Sequence, residues 1–340
     1  MRMDRYSRQM LFPPVGQAGQ DKIGTKQVLV IGAGALGSAL CEMLVRSGIK
    51  SLTIVDRDYV EFSNLQRQQL YTEQDAKERL PKAEAARQRL ELLNSHVRIE
   101  AIVTDATSEV MEPMVMEADL ILDATDNFET RMVINDLSQK HRTPWVYGAC
   151  VGSTGMCLAI LPGRTPCLNC LLRSVPLQGL TCDTGGIISP AVQMAAAHQM
   201  AEALKILVED YEAVREGLVF FDLWKNDYHQ FKTRKMKMDS CLSCGIHPQY
   251  PFLERDNVTK TAVLCGRDTV QVRPPRKMQL DFVTLSQQLI QGGYQVDGNA
   301  FLLSVQGDGM RMVLFQDGRA LIHETKDVHE AKSLYHRILG

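Results

Sequence analysis

The sequence predicts an α/β chain: a mostly parallel sheet covered by helices on both faces, extended by antiparallel strands and followed by a small α+β module. Three observations predict it. Short apolar runs rich in β-branched residues alternate with stretches of helical period between Lys26 and Val151. The first run stops at a glycine loop, Gly32-x-Gly34-x-x-Gly37, that opens a helix. After Gly163 the alternation ends in a cysteine-rich loop and a long helix. A glycine loop between a buried strand and a helix is the mark of a Rossmann-like sheet, whose ligands sit outside the carboxyl ends of its strands.

Taken in order, KQVLVIG (26–32) reads as a strand buried on both faces. Leu36, Leu40, Met43 and Leu44 then share one side of a helix from Ala35 to Ser47, and SLTIVD is a second strand ending at Asp56. A polar segment runs through Tyr71. Pro81 opens a helix with Ala83, Ala86, Leu90 and Leu93 on one face, and VRIEAIV is the next strand. Helices over Ser108–Glu117 and Thr130–His141 flank the strand ADLILDAT, and PWVYGACV follows. The long helix is expected from about Ser189 to Glu209, and the segment from Leu218 to Lys235 alternates like antiparallel strands. The polar stretch LERDNVTK suits a linker, dividing the chain into residues 1–253 and 254–340. Beyond it, TAVLCG, TVQVRPP, a helix over Phe282–Gln291, three short strands to about His323 and a helix from Val328 compose the small module.

Composition narrows the function. A hydrophobic fraction of 45% and a charged fraction of 23% are those of a globular chain, and a net charge of -2 gives no general attraction for nucleic acid or anionic lipid. The segment MRMDRYSRQM lacks the apolar core of a signal peptide, and no apolar run approaches membrane-spanning length, so a cytoplasmic protein is expected. In a reducing compartment the nine cysteines read as metal ligands, reactive thiols or core residues rather than disulfides.

The glycine loop, Gly32, Gly34, Ala35 and Gly37, lets backbone N–H groups approach a phosphate at the positive end of a helix, and Asp56 is spaced to bind a ribose hydroxyl. The loop alone does not separate NAD from ATP. The segment that follows places Asn64, Gln66, Arg67, Gln68 and Gln69 together and then Lys82 after Pro81, a set with no use in a nicotinamide site. Splitting a triphosphate spreads charge over phosphate oxygens, and fixed cations such as Arg67 and Lys82 stabilise it. Asp126, after the strand ending in DAT, is placed either to hold Mg²⁺ or to cap the helix that follows.

Cys167-x-x-Cys170 and Cys241-x-x-Cys244 are two knuckle pairs whose four thiolates would make a closed tetrahedral zinc clip. Cys182, in GLTCDTGG, lies in a loop suited to a reactive thiol, or is a plain loop residue. Cys41, Cys150, Cys157 and Cys265 lie in apolar runs and read as small core residues.

In order, RYSRQ, GAGALG, VDRDYVEFSNLQRQQLY, the Pro81-Lys82 pair, DATDN and the two CxxC pairs resemble the HesA/MoeB/ThiF family, bacterial relatives of ubiquitin-activating enzymes, over roughly residues 1–250. The resemblance implies an ATP-dependent adenylyltransferase acting on the C-terminal Gly-Gly carboxylate of a small ubiquitin-like sulfur-carrier protein. It implies that Asp56 binds the ribose, that Ser63, Asn64, Arg67 and Lys82 contact ATP with Asn127 beside them, and that Asp126 holds Mg²⁺. It also implies that Arg8 serves as an arginine finger from the partner subunit of a homodimer, and that Cys182 takes part in sulfur transfer or a covalent link to the carrier. Ala35 departs from the glycine common at that place in the family, with the backbone N–H retained. CDTGGIISP, the long helix and the appended module look more like the ThiF branch, which acts on ThiS in thiamine thiazole synthesis, than the MoeB branch, which acts on MoaD in molybdopterin synthesis. A sulfur donor such as a cysteine desulfurase would follow. Two other classes stay open: an NAD-dependent oxidoreductase, resting on the glycine loop and Asp56 alone, and a zinc-stabilised, non-catalytic binder of a ubiquitin-like protein.

Overall fold

The computed structural model describes residues 2–174, 185–255, 261–263, 268–274, 278–307 and 309–339. Two helices, α1 (Arg2–Met10) and α2 (Gly16–Ile23), precede the first strand. The alternation then runs β1 (Gln27–Ile31), α3 (Ala35–Ser47), β2 (Ser51–Asp56), α4 (Glu73–Lys77), α5 (Lys82–Leu93), β3 (Arg98–Val103), α6 (Ser108–Glu117), β4 (Leu120–Asp123), α7 (Phe128–His141) and β5 (Trp145–Val151). Next come β6 (Thr154–Ile160), α8 (Leu168–Ser174), α9 (Ser189–Leu207), β7 (Gly217–Asp222), β8 (Asp227–Lys232) and α10 (Pro251–Arg255).

These strands form one eight-stranded sheet in the order β3-β2-β1-β4-β5-β6-β7-β8, parallel through β5 and antiparallel beyond. The chain leaves β1 toward β2 on one side and later returns to β4 on the other, so the carboxyl ends of β1 and β4 diverge into a crevice. Alternation along the strands sorts the core. Val28, Val30, Leu52, Ile54 and Leu122 face α3, α5 and α9, while Leu29, Ile31, Val55 and Ile121 face α6 and α7. None of the described helices is long and apolar enough to cross a membrane.

Several elements differ from the sequence reading. The sequence reading assigns no strand to β6; a Cβ on its Gly155 would lie 2.3 Å from the Phe221 ring of β7, so the glycine makes room for a cross-strand aromatic. Part of the cysteine-rich loop is helical, as α8, and the long helix ends at Leu207, with Glu209 at φ +66°. The chain divides into compact units of Met1–Asp256 and Asn257–Gly340. The second contains β9 (Thr261–Val263), β10 (Thr269–Val272), α11 (Phe282–Gln291), β11 (Gln295–Gly298), β12 (Leu302–Gly307), β13 (Met310–Phe315), β14 (Ala320–His323) and α12 (Val328–Leu339). Four strands, not three, lie between its helices. They join an antiparallel sheet ordered β11-β12-β13-β14-β10-β9, with Leu289 of α11 and Leu334 and Ile338 of α12 packed on Val270, Val305, Leu314 and Ile322.

Two glycines of the first unit lie too close to neighbouring backbone to carry a side chain. A Cβ on Gly37 would stand 2.0 Å from the Gly32 carbonyl oxygen, and one on Gly32, at φ +96°, would stand 2.5 Å from that of Ala124. Gly37→Ala is therefore expected to lower unfolding free energy by about 1–3 kcal/mol, read as a drop in the urea midpoint at unchanged slope.

Candidate active site

The crevice is built around the first turn of α3. Its N-cap, Gly34, supplies no side-chain cap, and an added Cβ would meet only Gln68 Nε2, at 3.8 Å. The first N–H groups of α3 thus face open space, an arrangement that attracts a phosphate. Asp56, at the end of β2, fixes the loop: Ala33 N donates to its Oδ2 at 2.6 Å and Asp58 N to its Oδ1 at 2.7 Å. Burial raises the Asp56 carboxyl above the usual carboxylate range, and the nearby Lys82 charge works against that.

Lys82 is almost fully buried, 4% exposed, at the start of α5. Its Nζ pairs with Asp58 Oδ2 at 3.1 Å, its N–H donates to Asp58 O, and its carbonyl accepts from the Tyr71 hydroxyl, which also donates to Ala33 O. Backbone and side chain together hold the ammonium behind the glycine loop. A buried, paired cation of this kind is pre-oriented for an anion.

The turn Phe62–Asn64 lies between β2 and α4. Asn64 is fully buried because its Oδ1 accepts from Glu61 N at 3.0 Å, closing a capping box. Arg67 Nη1 donates to Ser63 O at 3.0 Å, while Gln68 is buried under Gly34. Ser63 itself is exposed.

Beyond β4 the chain leaves the sheet where β4 and β5 cease to pair, after Leu122 and Val146. Two side chains bridge the gap from opposite faces. Gln199 Nε2 of α9 donates to Asp123 O and Val146 O, at 2.7 and 3.2 Å. Arg131 of α7 donates to Asp123 Oδ2 at 3.1 Å and to the carbonyls of Thr125 and Gly148. They fix the turn that carries Asp126. The cap of α7 is Asn127, whose Oδ1 accepts from Glu129 N and Thr130 N at 2.8 and 3.4 Å, so the capping alternative for Asp126 falls away and its carboxylate is exposed. Asp126 raises the proton affinity of both Arg57 and Arg131, and Arg57 also pairs with Asp105 at 3.2 Å.

The four knuckle thiols converge. Cys167 Sγ lies 3.6 Å from Cys241 Sγ and Cys170 Sγ 3.5 Å from Cys244 Sγ, and all four lie within 4.8 Å of one another. A tetrahedron with Zn–S bonds of about 2.3 Å has edges of about 3.8 Å, so the donor set fits zinc. Cys41 and Cys157 are buried, with burial pushing Cys157 up to about 12, and Cys150 is half-buried. Cys265 lies outside the described residues.

Residues 6–243 match the ThiF family. The chain belongs to the ThiF family. A Bacillus subtilis protein named sulfur carrier protein ThiS adenylyltransferase is 52% identical over 337 residues, 99% of each chain. An Escherichia coli protein of the same name is 34% identical over 242 residues, 71% of this chain and 94% of its own. The structure of E. coli MccB with ATP aligns with a TM-score of 0.62 at 22% identity, covering 71% of this chain and 73% of that one, which shows the shared fold.

Most residues expected of a ThiF-family site gather at one crevice: Gly32, Gly34, Ala35, Gly37, Asp56, Asn64, Arg67 and Lys82 on the β1–β2 side, Asp126 and Asn127 after the adjoining β4. Arg8 does not. It is exposed on α1, which packs through Tyr6 and Gln9 against Asn94, Gly48 and Ser47. Those residues end α3 and α5, at the amino-terminal edge of the sheet, so Arg8 cannot reach its own chain's crevice. Cys182 lies outside the described residues. Sequence reasoning passed over Arg57, Asp58, Tyr71, Arg131 and Gln199. Only Asp58 left a local signal, two residues beyond Asp56.

Gly34→Ala is expected to change stability by less than about 1 kcal/mol yet weaken ATP binding about tenfold, measured by calorimetry. Elemental analysis of the purified protein is expected to give one zinc per chain, and Cys241→Ser to lose the metal and lower the melting temperature.

Proposed function

We propose that this ThiF-family chain is an adenylyltransferase that uses ATP to activate the C-terminal Gly-Gly carboxylate of the sulfur carrier ThiS, in thiamine thiazole synthesis. The single observation that carries the reading is the buried Lys82 ammonium, fixed through Asp58 behind an open glycine at the N-terminus of α3. A nicotinamide site has no use for that cation. The name of the B. subtilis relative, matched along nearly the whole chain, favours ThiS over MoaD.

A free carboxylate is a poor acceptor for sulfur, since its leaving group would be oxide. Its oxygen attacks the α-phosphorus of ATP, the bond to the bridging oxygen breaks, and pyrophosphate departs. The product is an acyl-adenylate with AMP as a good leaving group. The carboxylate is already ionised at neutral pH, so no protein base or nucleophile is needed, and catalysis is alignment and charge stabilisation. Asp56 holds the ribose and Asn64, Arg67 and Lys82 hold the phosphates. Mg²⁺, held by the exposed carboxylate of Asp126, would supply neutralising charge on the triphosphate. Zinc on the four thiols would be structural.

Arg8 completes a site only by reaching a second copy, which supports a homodimer. The acyl-adenylate must then meet a sulfur nucleophile from a donor such as a cysteine desulfurase, in the cytoplasm, and Cys182 acts at that later stage.

Pyrophosphate exchange tests the proposal. With ATP, Mg²⁺ and ThiS, labelled pyrophosphate is expected to enter ATP, more slowly with MoaD. Lys82→Ala and Asp126→Asn should each lower exchange by about 100-fold or more, and Cys182→Ser should leave it unchanged. No exchange with either carrier overturns the adenylation reading.

A further inference from the structure

α7 is held at three places along its length. Asn127 caps its first turn, Arg131 ties its second to the end of β4, and one turn further two adjacent polar residues, Asn135 and Asp136, are completely buried. Neither belongs to the nucleotide crevice, and neither is a metal ligand. Both reach the knuckle turns that present the four thiols.

Asn135 Oδ1 accepts from Leu168 N at 2.8 Å, the amide that follows Cys167. Burial raises the pKa of the Asp136 carboxyl, and the nearby Ser243 hydroxyl, within the second CxxC pair, works against that by favouring the charged form. Ser243 Oγ in turn accepts from Asn169 Nδ2, within the first pair, at 3.1 Å. Asn135 Nδ2 donates to Asp136 Oδ1 at 3.2 Å, and Phe252 N of α10 donates to Asp136 Oδ2 at 2.9 Å. Ser243 is also fully buried, with its hydroxyl between Asn169 Nδ2 and the Asp136 carboxylate. The network therefore joins both knuckles to each other and to α7. Deep burial of three such groups is tolerable only with this degree of satisfaction, which makes the joint stiff.

We propose that Asn135 and Asp136 are positioning residues that couple the thiol-bound metal to Asp126, with α7 as the connecting rod. The proposal rests on the functional reading above only in giving Asp126 the magnesium. From Asn127 to Asn135 the helix spans about 12 Å, short enough to move as one body. With the knuckles locked by metal, the far end of α7 is fixed and the turn before Asn127 is held in register. With the knuckles loosened, Asn127 and Arg131 carry that turn along with the helix.

The test uses the full-length zinc protein and two readouts that do not require turnover: the rate of zinc transfer to a chromogenic chelator, and the Mg²⁺ concentration that half-saturates ATP binding. Asp136→Asn sets an amide N–H₂ against the donors Phe252 N, Asn135 Nδ2 or the Ser243 hydroxyl, and Asn135→Ala leaves Leu168 N without its partner. Each is expected to release zinc about 10-fold faster and to raise the Mg²⁺ requirement at least about 3-fold. Lys140→Ala, an exposed position on the same helix, is expected to change neither. Unchanged zinc release, or faster release with an unchanged Mg²⁺ requirement, overturns the coupling. Should the variants fail to fold, hydrogen exchange of residues 127–131 in the native chain decides: it is expected to speed up on chelation, and equal exchange with and without zinc overturns the proposal. If the native protein shows no Mg²⁺-dependent ATP binding at all, the functional reading fails, while zinc release and exchange still report on the joint.

Discussion

The structure hangs on a backbone-to-backbone contact at the place where the sheet changes direction. Gly32 and Gly37 bring the loop after β1 against itself and against the carbonyl of Ala124, at distances that leave no volume for a side chain. Because of that contact the loop after β4 lies beside the loop after β1, and residues nearly a hundred positions apart share one crevice. The Asp56 carboxylate then locks the arrangement from the β2 side through two amide hydrogen bonds.

Charges around the crevice alternate instead of accumulating. Asp56 and Asp58 face Lys82, Arg57 faces Asp105 and Asp126, and Arg131 faces Asp123. Each buried charge has an opposite neighbour, so desolvation is offset locally. What is left toward solvent is an open helix N-terminus and an exposed carboxylate, one suited to phosphate oxygens and the other to a cation.

Where chemistry follows local pattern, the sequence made it legible. The bounds of α3, β2, α6 and α11 follow from helical or strand periodicity and their stops, and the glycine loop, Asp56, Lys82 and the paired cysteines follow from spacing. What was not legible arises from contacts made only in three dimensions. Spacing singles out Lys82, but its burial and its pairing with Asp58 arise only when the chain closes around it. Arg131 has carbonyl partners because β4 and β5 cease to pair beyond Leu122 and Val146, and Gly155 is needed in its strand because the Phe221 ring occupies the space of a side chain. The edge on which Arg8 sits depends on how α1 docks against the ends of α3 and α5, which no periodicity encodes.

Finally, the two cysteine pairs are separated by 74 residues, with α9, β7 and β8 between them. During synthesis at about 5–20 residues per second, the second pair leaves the ribosome about 4–15 s after the first. Over that interval Cys167 and Cys170 are two thiols without a complete tetrahedron. Capture of a metal by all four thiols would thereby be a late event, following the synthesis of the last strands of the sheet.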